Sequence, residues 1–448
     1  MKASELIQKI DSGEIDTVIV AFPDVFGRLV GKRFAAKYYK QSIADHGTHG
    51  CNYLLTVNIE MEPMNGFRLA NWEAGFGDYE LVPDVETIRL LPWQPATALV
   101  ICDALHEEKR PVVEAPRSVL RRQLDRLSEA GLVCKIASEL EFFLYHQTFH
   151  DAFTNGYSKL TAASDYRIDY HILQPTLEEP LFRDVRNLME VARVPVESSK
   201  GEWGRGQHEV NFVYDDPLPM ADMHVVFKHG MKELAMKHGK CVTFMAKPSA
   251  GDAGSSCHIH VSLWKDGENR FWEKEKKEGS LLFRQFLGGL MKYVPEFACF
   301  FAPTINAYKR YQPGSWAPTK MAWAFDNRTA GFRVVGKGNG FRIENRMPGA
   351  DANPYLAFAA TIAAGLAGIE EKLDCGQVYH GNAYVDSGLK ALPANLAEAA
   401  DLLARSELAK RVFSPEVVEF YVHTARLEIQ AFADAVTDWE KMRYFERI

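Results

Sequence analysis

Glu139 and Glu141 stand two residues apart in Ala-Ser-Glu-Leu-Glu-Phe-Phe-Leu-Tyr (137–145), a stretch that otherwise reads as buried strand. A buried carboxylate is strongly disfavoured unless a proton, a metal or a base compensates it. Along a strand, residues i and i+2 share a face. Glu139 and Glu141 therefore point together, and Leu140 and Phe142 point the other way. The same alternation aligns His258, His260 and Ser262 in CHIHVSL (257–263), and Arg342, Glu344 and Arg346 in FRIENR (341–346). GEWGRGQHEV (201–210) adds Glu202 and Glu209 around a glycine-rich turn. Any one of these segments also reads as a solvated sheet face. Their recurrence within one domain favours a shared site.

Several carboxylates with one imidazole suit a pair of hard divalent cations, Mg²⁺ or Mn²⁺. Zinc normally takes more His or Cys. Each cation would lower the repulsion between the acids and keep them ionised. Arg310, Arg328, Arg333, Arg342 and Arg346 crowd the stretch 310–346. Forked guanidinium donors match phosphate and carboxylate oxygens. Metals with arginines are what phosphoryl transfer requires, because positive charge must stabilise the equatorial oxygens. Taken singly, Arg310 or Arg328 reads as half of a surface ion pair.

A chain of 448 residues exceeds one ordinary core and is expected to form two domains. The charged, proline-bearing HEEKRPVVEAP (106–116) marks the boundary, giving 1–105 and 106–448. TVIVAFPD (17–24) and ATALVICDA (96–104) predict strands, and RSVLRRQLDRLSEAGL (117–132) a helix followed at once by the strand VCKIASELEFFLY. Further helices are predicted over 221–238, 281–293, 354–373 and 396–410, with strands near 207–213, 240–246, 257–263, 331–335 and 341–346. No βαβ rhythm appears, so the fold class is α+β. GKGNG (336–340) leads into a strand, which makes it a loop over something and not a dinucleotide fingerprint.

The net charge of −7 gives no general attraction to nucleic acid or anionic membrane. No run is long and apolar enough to span a bilayer. The first residues show no secretion signal. Seven dispersed cysteines without a CxxC pair fit thiols in a reducing cytoplasm. His150, His171, His224 and His229 read as surface or helix residues. Trp93, Trp203 and Trp264 read as packing residues.

Together GDYELVPD (77–84), SELEFFL (138–144), GQHEVNF (206–212), GSSCHIHVSL (254–263), NAYKRYQPGSWAP (306–318), DNRTAGFRV (326–334) and RIENRMPGADANPYLA (342–357) resemble the glutamine synthetase superfamily, the bacterial-type glutamate–amine ligases. The resemblance implies a small N-terminal β-grasp domain and a large catalytic domain with a curved antiparallel sheet flanked by helices. It implies hexameric rings stacked as a dodecamer, with active sites between subunits. ATP would phosphorylate the γ-carboxylate of L-glutamate, and an amine would displace the phosphate. Two or three Mg²⁺ or Mn²⁺ ions would be held by Glu139, Glu141, Glu202, Glu209, His258 and Glu344. Arg310, Arg346 and the Gly254 region match glutamate contacts. Arg328, Arg333 and Arg342 match phosphate-side arginines, and His260 and Ser262 nucleotide-side positions.

Ammonia-using members carry a glutamate in a stretch written PGxEAP, and this chain has PGSWAP with Trp316 in that place. They also carry an Asp-Gly-Ser-Ser stretch ahead of the position matched by Asp78. Here MNGFRLANWEAGFGD (64–78) lacks it. Both losses fall on the ammonium subsite. An indole offers an apolar wall and a cation–π face instead. The reading is therefore a ligase for an organic amine, with a polyamine such as putrescine favoured. A monoamine such as ethanolamine, an alkyl or aryl amine, ammonia itself, or a non-catalytic homologue are the alternatives. Asp78 is the candidate for deprotonating the amine, and Glu73 or Asp78 for holding a distal ammonium. Tyr384 lies in GNAYVDSG, which departs from the adenylylated stretch of some relatives, so no such control is expected.

Overall fold

Six strands between Thr17 and Leu105 form the first sheet: β1 (Thr17–Pro23), β2 (Leu29–Ala35), β3 (Thr48–Cys51), β4 (Asp78–Pro83), β5 (Arg89–Leu90) and β6 (Thr97–Leu105). Their order is β2-β1-β6-β4-β3, with β5 beside β6. β1 and β6 run parallel and the other pairs antiparallel. β1 and β6 are apolar almost throughout because both of their faces are covered. The computed structural model describes residues 1–276 and 279–448.

The second sheet has nine strands: β7 (Val133–Tyr145), β8 (Val196–Gly201), β9 (Gln207–Phe212), β10 (Cys241–Thr243), β11 (Cys257–Lys265), β12 (Glu268–Asn269), β13 (Trp323–Phe325), β14 (Phe332–Val335) and β15 (Arg342–Asn345). The order is β13-β14-β15-β11-β7-β9-β8, with β10 on β7 and β12 on β11. All pairs are antiparallel except β13–β14. The architecture is α+β, with a mostly antiparallel sheet flanked by helices.

One face of this sheet is apolar, with Ile136, Leu140, Phe142, Val210, Ile259 and Ile343 all buried. The helices Pro116–Glu129, Pro217–Lys237 and Pro354–Glu370 stack behind it. Pro354–Glu370 is buried along nearly its whole length and reads as uniformly apolar, as a helix enclosed by others must. It crosses the helix Leu281–Tyr293 at glycines. A Cβ on Gly368 would stand 2.2 Å from the Gln285 carbonyl oxygen and 2.5 Å from the Gly289 nitrogen. Both obstacles are backbone, so Gly368→Ala is expected to lower stability by about 1–3 kcal/mol. The check is a fall in the unfolding midpoint.

The two sheets are joined by polar ties. Asn353 caps the helix Pro354–Glu370 and donates to the carbonyls of Asp24 and Val25. Arg117 links Asp84 and Asp103 of the first sheet region to Asp222 on the helix Pro217–Lys237.

Some local expectations change. The helix predicted over 396–410 is broken at Ser406, which caps a new helix at Glu407–Val412 by accepting from the Ala409 N–H. His224 is on a helix but fully buried, with Nδ1 3.0 Å from Ser138 Oγ. The final residues do not pack within the chain, since Met442, Phe445 and Ile448 are exposed.

Candidate active site

Strand register turns separate sequence motifs into one surface. His258 lies opposite Glu139, and His260 opposite Glu344. Glu141 lies opposite Glu209, and Glu209 opposite Lys200. Arg333 lies opposite Glu344. Side chains from six strands therefore share the face away from the helices. A cavity of ≈ 1100 Å³ opens over that face.

Two clusters of ligand atoms form there. Glu139, His258 and Glu344 make one, and Glu141, Glu202 and Glu209 the other; within each, the atoms lie within 4.8 Å of one another. In the first, His258 Nδ1 is 2.8 Å from Glu139 Oε1 and 3.5 Å from Glu344 Oε1. His258 Nε2 is buried without a partner among the described residues. Burial, and then Arg346, pull the His258 pKa down, which favours neutral imidazole. Either neutral tautomer leaves one ring nitrogen unsatisfied. A cation seated among these three side chains would take the Nδ1 lone pair, which in the Nε2–H tautomer otherwise faces two carboxylates.

The second cluster is more strongly frustrated. Burial, and then Glu202, push the Glu141 carboxyl up to about 8. Burial, and then Glu139 and Glu202, push Glu209 up to about 11. Acids so placed stay ionised at neutral pH only beside strong positive charge. Glu141 Oε2 accepts from the Ser256 N–H at 2.8 Å and from Gln207 Nε2 at 3.2 Å, which fixes its direction. The all-oxygen donor set fits a hard divalent ion. In the first cluster burial also opposes ionisation. There, hydrogen bonds with His258 and His260 hold Glu139 well below the usual range. Arg346, with His258, holds Glu344 at about 2 against its burial.

The arginines close round the first cluster. Arg333 Nη1 donates to Glu344 Oε2 at 2.9 Å and Nη2 to Asp326 Oδ1 at 2.7 Å. Arg346 donates to Glu344 and, through Nη2, to the Trp316 carbonyl at 3.1 Å. Arg342 Nε donates to His260 Nδ1 at 3.1 Å. Ser262 accepts from Trp264 Nε1 at 2.9 Å. Arg328 is exposed and lines the cavity, as do Gly336, Asn339 and Gly340 of the glycine-rich loop. Trp316, 45% exposed and at φ 65°, meets Trp203 edge to face with ring centroids 5.6 Å apart.

Three expected residues lie elsewhere. Arg310 is 1% exposed and does not reach the cavity. Its guanidinium donates to the carbonyls of Met347 and Arg346 and to Ser256 Oγ. It therefore braces the loop before the helix Pro354–Glu370. Gly254 sits against Arg310, where a Cβ would be 2.6 Å from Arg310 Cγ, and its carbonyl accepts from Gln207. Asp78 is exposed at the start of β4 and is absent from the cavity lining.

Conversely, Trp203 and Trp264 line the cavity and are not packing residues. Lys200 and Gln207 were missed. Lys200 carries a legible signal, being i, i−2 to Glu202 on one strand face.

Residues 113–444 match the family model described as glutamine synthetase, catalytic domain. Gamma-glutamylethanolamide synthetase of Streptomyces coelicolor is 47% identical over 444 residues, spanning 99% of this chain and 96% of its own. A glutamate–isopropylamine ligase of a Pseudomonas species is 36% identical over 444 residues, spanning 98% and 97%. A solved GmaS/ADP complex superimposes with a TM-score of 0.86 at 28% identity, covering 98% of this chain and 99% of that one.

Proposed function

The chain belongs to the glutamine synthetase family, and we propose that its site joins the γ-carboxylate of L-glutamate to a short organic monoamine, releasing ADP and phosphate through a γ-glutamyl phosphate. The chain is an ATP-dependent glutamate–amine ligase. The observation that carries the chemistry is the pair of acid clusters under Arg328, Arg333, Arg342 and Arg346 on one sheet face. A carboxylate is a poor electrophile because its leaving group would be oxide. Phosphorylation turns that oxygen into a leaving group.

Divalent ions, Mg²⁺ or Mn²⁺, in the two clusters would supply Lewis-acid charge at the phosphoryl oxygens. Arg328, Arg333 and Arg342 would bind phosphate oxygens, and Arg346 the substrate carboxylate. His260 and Ser262 would face the nucleotide. Trp203 and Trp316 would exclude water from the reactive acyl phosphate. Gly254 and Arg310 would act from behind, by holding the loop that carries Arg346.

The amine preference rests on the aromatic wall and on the relatives. Ethanolamide and isopropylamine stand in the names of two similar enzymes. Arg167 holds its guanidinium 4.5 Å from the Trp203 ring centroid. That fixed positive charge disfavours a second ammonium beside the same indole. The polyamine reading of the sequence is the competing outcome. Asp78, exposed and outside its own cavity, would reach a neighbour's site in hexameric rings stacked as a dodecamer and deprotonate the amine there. We also propose a domain boundary at 105/106, supported by the end of the first sheet at Leu105. A cytoplasmic location is supported by seven dispersed cysteines without a CxxC pair, six of them buried.

The test is amine-dependent phosphate release with glutamate, ATP and Mg²⁺ or Mn²⁺, across ammonium, ethanolamine, alkylamines, putrescine and longer polyamines, with mass spectrometry of the product. A γ-glutamyl monoamide with ammonium poor is the expected result. A polyamine adduct overturns the monoamine preference, and efficient glutamine formation overturns the organic-amine reading. Trp316→Ala is expected to lower kcat/KM for the preferred amine about tenfold, the worth of a partly desolvated cation–π contact. Unchanged kcat/KM removes Trp316 from the subsite.

A further inference from the structure

We propose that Lys200 is a tethered cation that competes with a divalent ion for the Glu141–Glu202–Glu209 cluster. It holds the cluster together without metal and weakens the cluster's affinity for metal. The inference rests on the metal reading of that cluster.

The placement comes from β8 and the residue after it. Ser198, Lys200 and Glu202 share one face, and Lys200 is the register partner of Glu209. Lys200 Nζ contacts Glu202 Oε1 and lies 3.6 Å from Glu209 Oε2. Its side chain is only 18% exposed. The ammonium thus hydrogen-bonds to one and pairs with a second of the three carboxylates that form the cluster. It is a compact, strongly hydrated charge, and it shares oxygens that a metal would need.

A divalent ion and an ammonium within one such cluster repel strongly, because both sit at short range in a partly desolvated site. Metal entry therefore requires Lys200 to move. A second seat is present beside it. Asp169 Oδ1 is 3.9 Å from Nζ, and the Tyr170 ring centroid is 4.4 Å away. Asp169 and Tyr170 are both exposed and both line the cavity. The flexible four-carbon stem can carry the ammonium towards them as metal enters. In the metal-free protein the same ammonium ties Glu202 to Glu209.

The experiment measures Mn²⁺ binding to the full-length protein by calorimetry and electron paramagnetic resonance, together with melting curves in chelator and in saturating Mn²⁺. The proteins are wild type, Lys200→Met, Lys200→Arg and Glu209→Gln. Lys200→Met is expected to bind Mn²⁺ at least about tenfold more tightly at one site. It should melt below wild type in chelator, and at or above wild type in Mn²⁺. Lys200→Arg should stay near wild type in both readouts. Unchanged or weaker affinity in Lys200→Met, or a lower melting point in both conditions, overturns the role of Lys200. Wild-type binding that Glu209→Gln removes but Lys200→Met leaves unchanged overturns that role alone. Wild-type protein with no Mn²⁺ binding sensitive to Glu209→Gln overturns the metal reading as well.

Discussion

Glu344→Ala is expected to lower turnover at least about 10³-fold while the chain stays folded. Glu344 is 1% exposed and stands where four side chains meet. It accepts from Arg333 and Arg346, faces His258 Nδ1 at 3.5 Å, and shares a ligand cluster with Glu139. Its removal takes a charged donor from the proposed cation site and frees Arg346 to swing from the substrate. The fold survives because both guanidinia keep other partners. Arg333 retains Asp326 at 2.7 Å, and Arg346 retains the Trp316 carbonyl at 3.1 Å. Glu344→Gln keeps the shape and one acceptor oxygen, loses the charge, and turns an NH2 donor toward one of the two guanidinia. A loss of about 10²-fold or more is expected there too. The measurements are glutamate- and amine-dependent phosphate release, circular dichroism and gel filtration. Full activity in either variant removes Glu344 from the reacting centre.

The site was legible wherever strand alternation alone decides direction. Glu139 with Glu141, His258 with His260, and Glu344 between two arginines follow from a period of two. The partition of the acids into two clusters was not legible, because it depends on register. Glu141 faces Glu209 only because β7 and β9 pair at that offset. Arg310 shows a different limit. Its type and motif suggested a substrate contact, yet its acceptors lie 36, 37 and 54 residues away in the chain and enclose it. Trp203 lies in a turn, where no periodicity tells packing from lining. The helices Leu281–Tyr293 and Pro354–Glu370 were readable from composition. Ser406 interrupts the helix predicted over 396–410 because its hydroxyl caps the next one, the competition that serine brings to a helix interior.

Arg117→Met is expected to destabilise the protein by about 3–5 kcal/mol, the cost of leaving a buried carboxylate unpaired. The guanidinium is 2% exposed and serves three acids. It grips Asp222 with Nε and Nη2 at 3.1 and 2.9 Å, Asp103 with Nη1 at 2.6 Å, and Asp84 with Nη2 at 2.9 Å. Asp84 and Asp103 belong to the first sheet region, and Asp222 to a helix behind the catalytic sheet, so one side chain staples the two. In the variant, Arg121 still serves Asp84 and Asp103. Asp222, 3% exposed at its side chain, keeps the Tyr355 hydroxyl at 2.5 Å. That hydroxyl supplies no charge, and the cost falls there. Arg117→Lys should fall between, because it keeps the charge and loses the fork. The pH dependence has a definite sign. Burial raises the Asp84 pKa, but Arg117 and then Arg121 bring it below its ordinary value. Such a group stabilises fully above the unfolded carboxylate pKa of about 4, and its contribution fades as pH falls through the lowered native value. The gap between wild type and Arg117→Met should therefore be widest at neutral pH and narrow below about pH 4. Urea unfolding across that range measures both, and a gap that stays constant into acid would show that Arg117 stabilises by packing and not by charge.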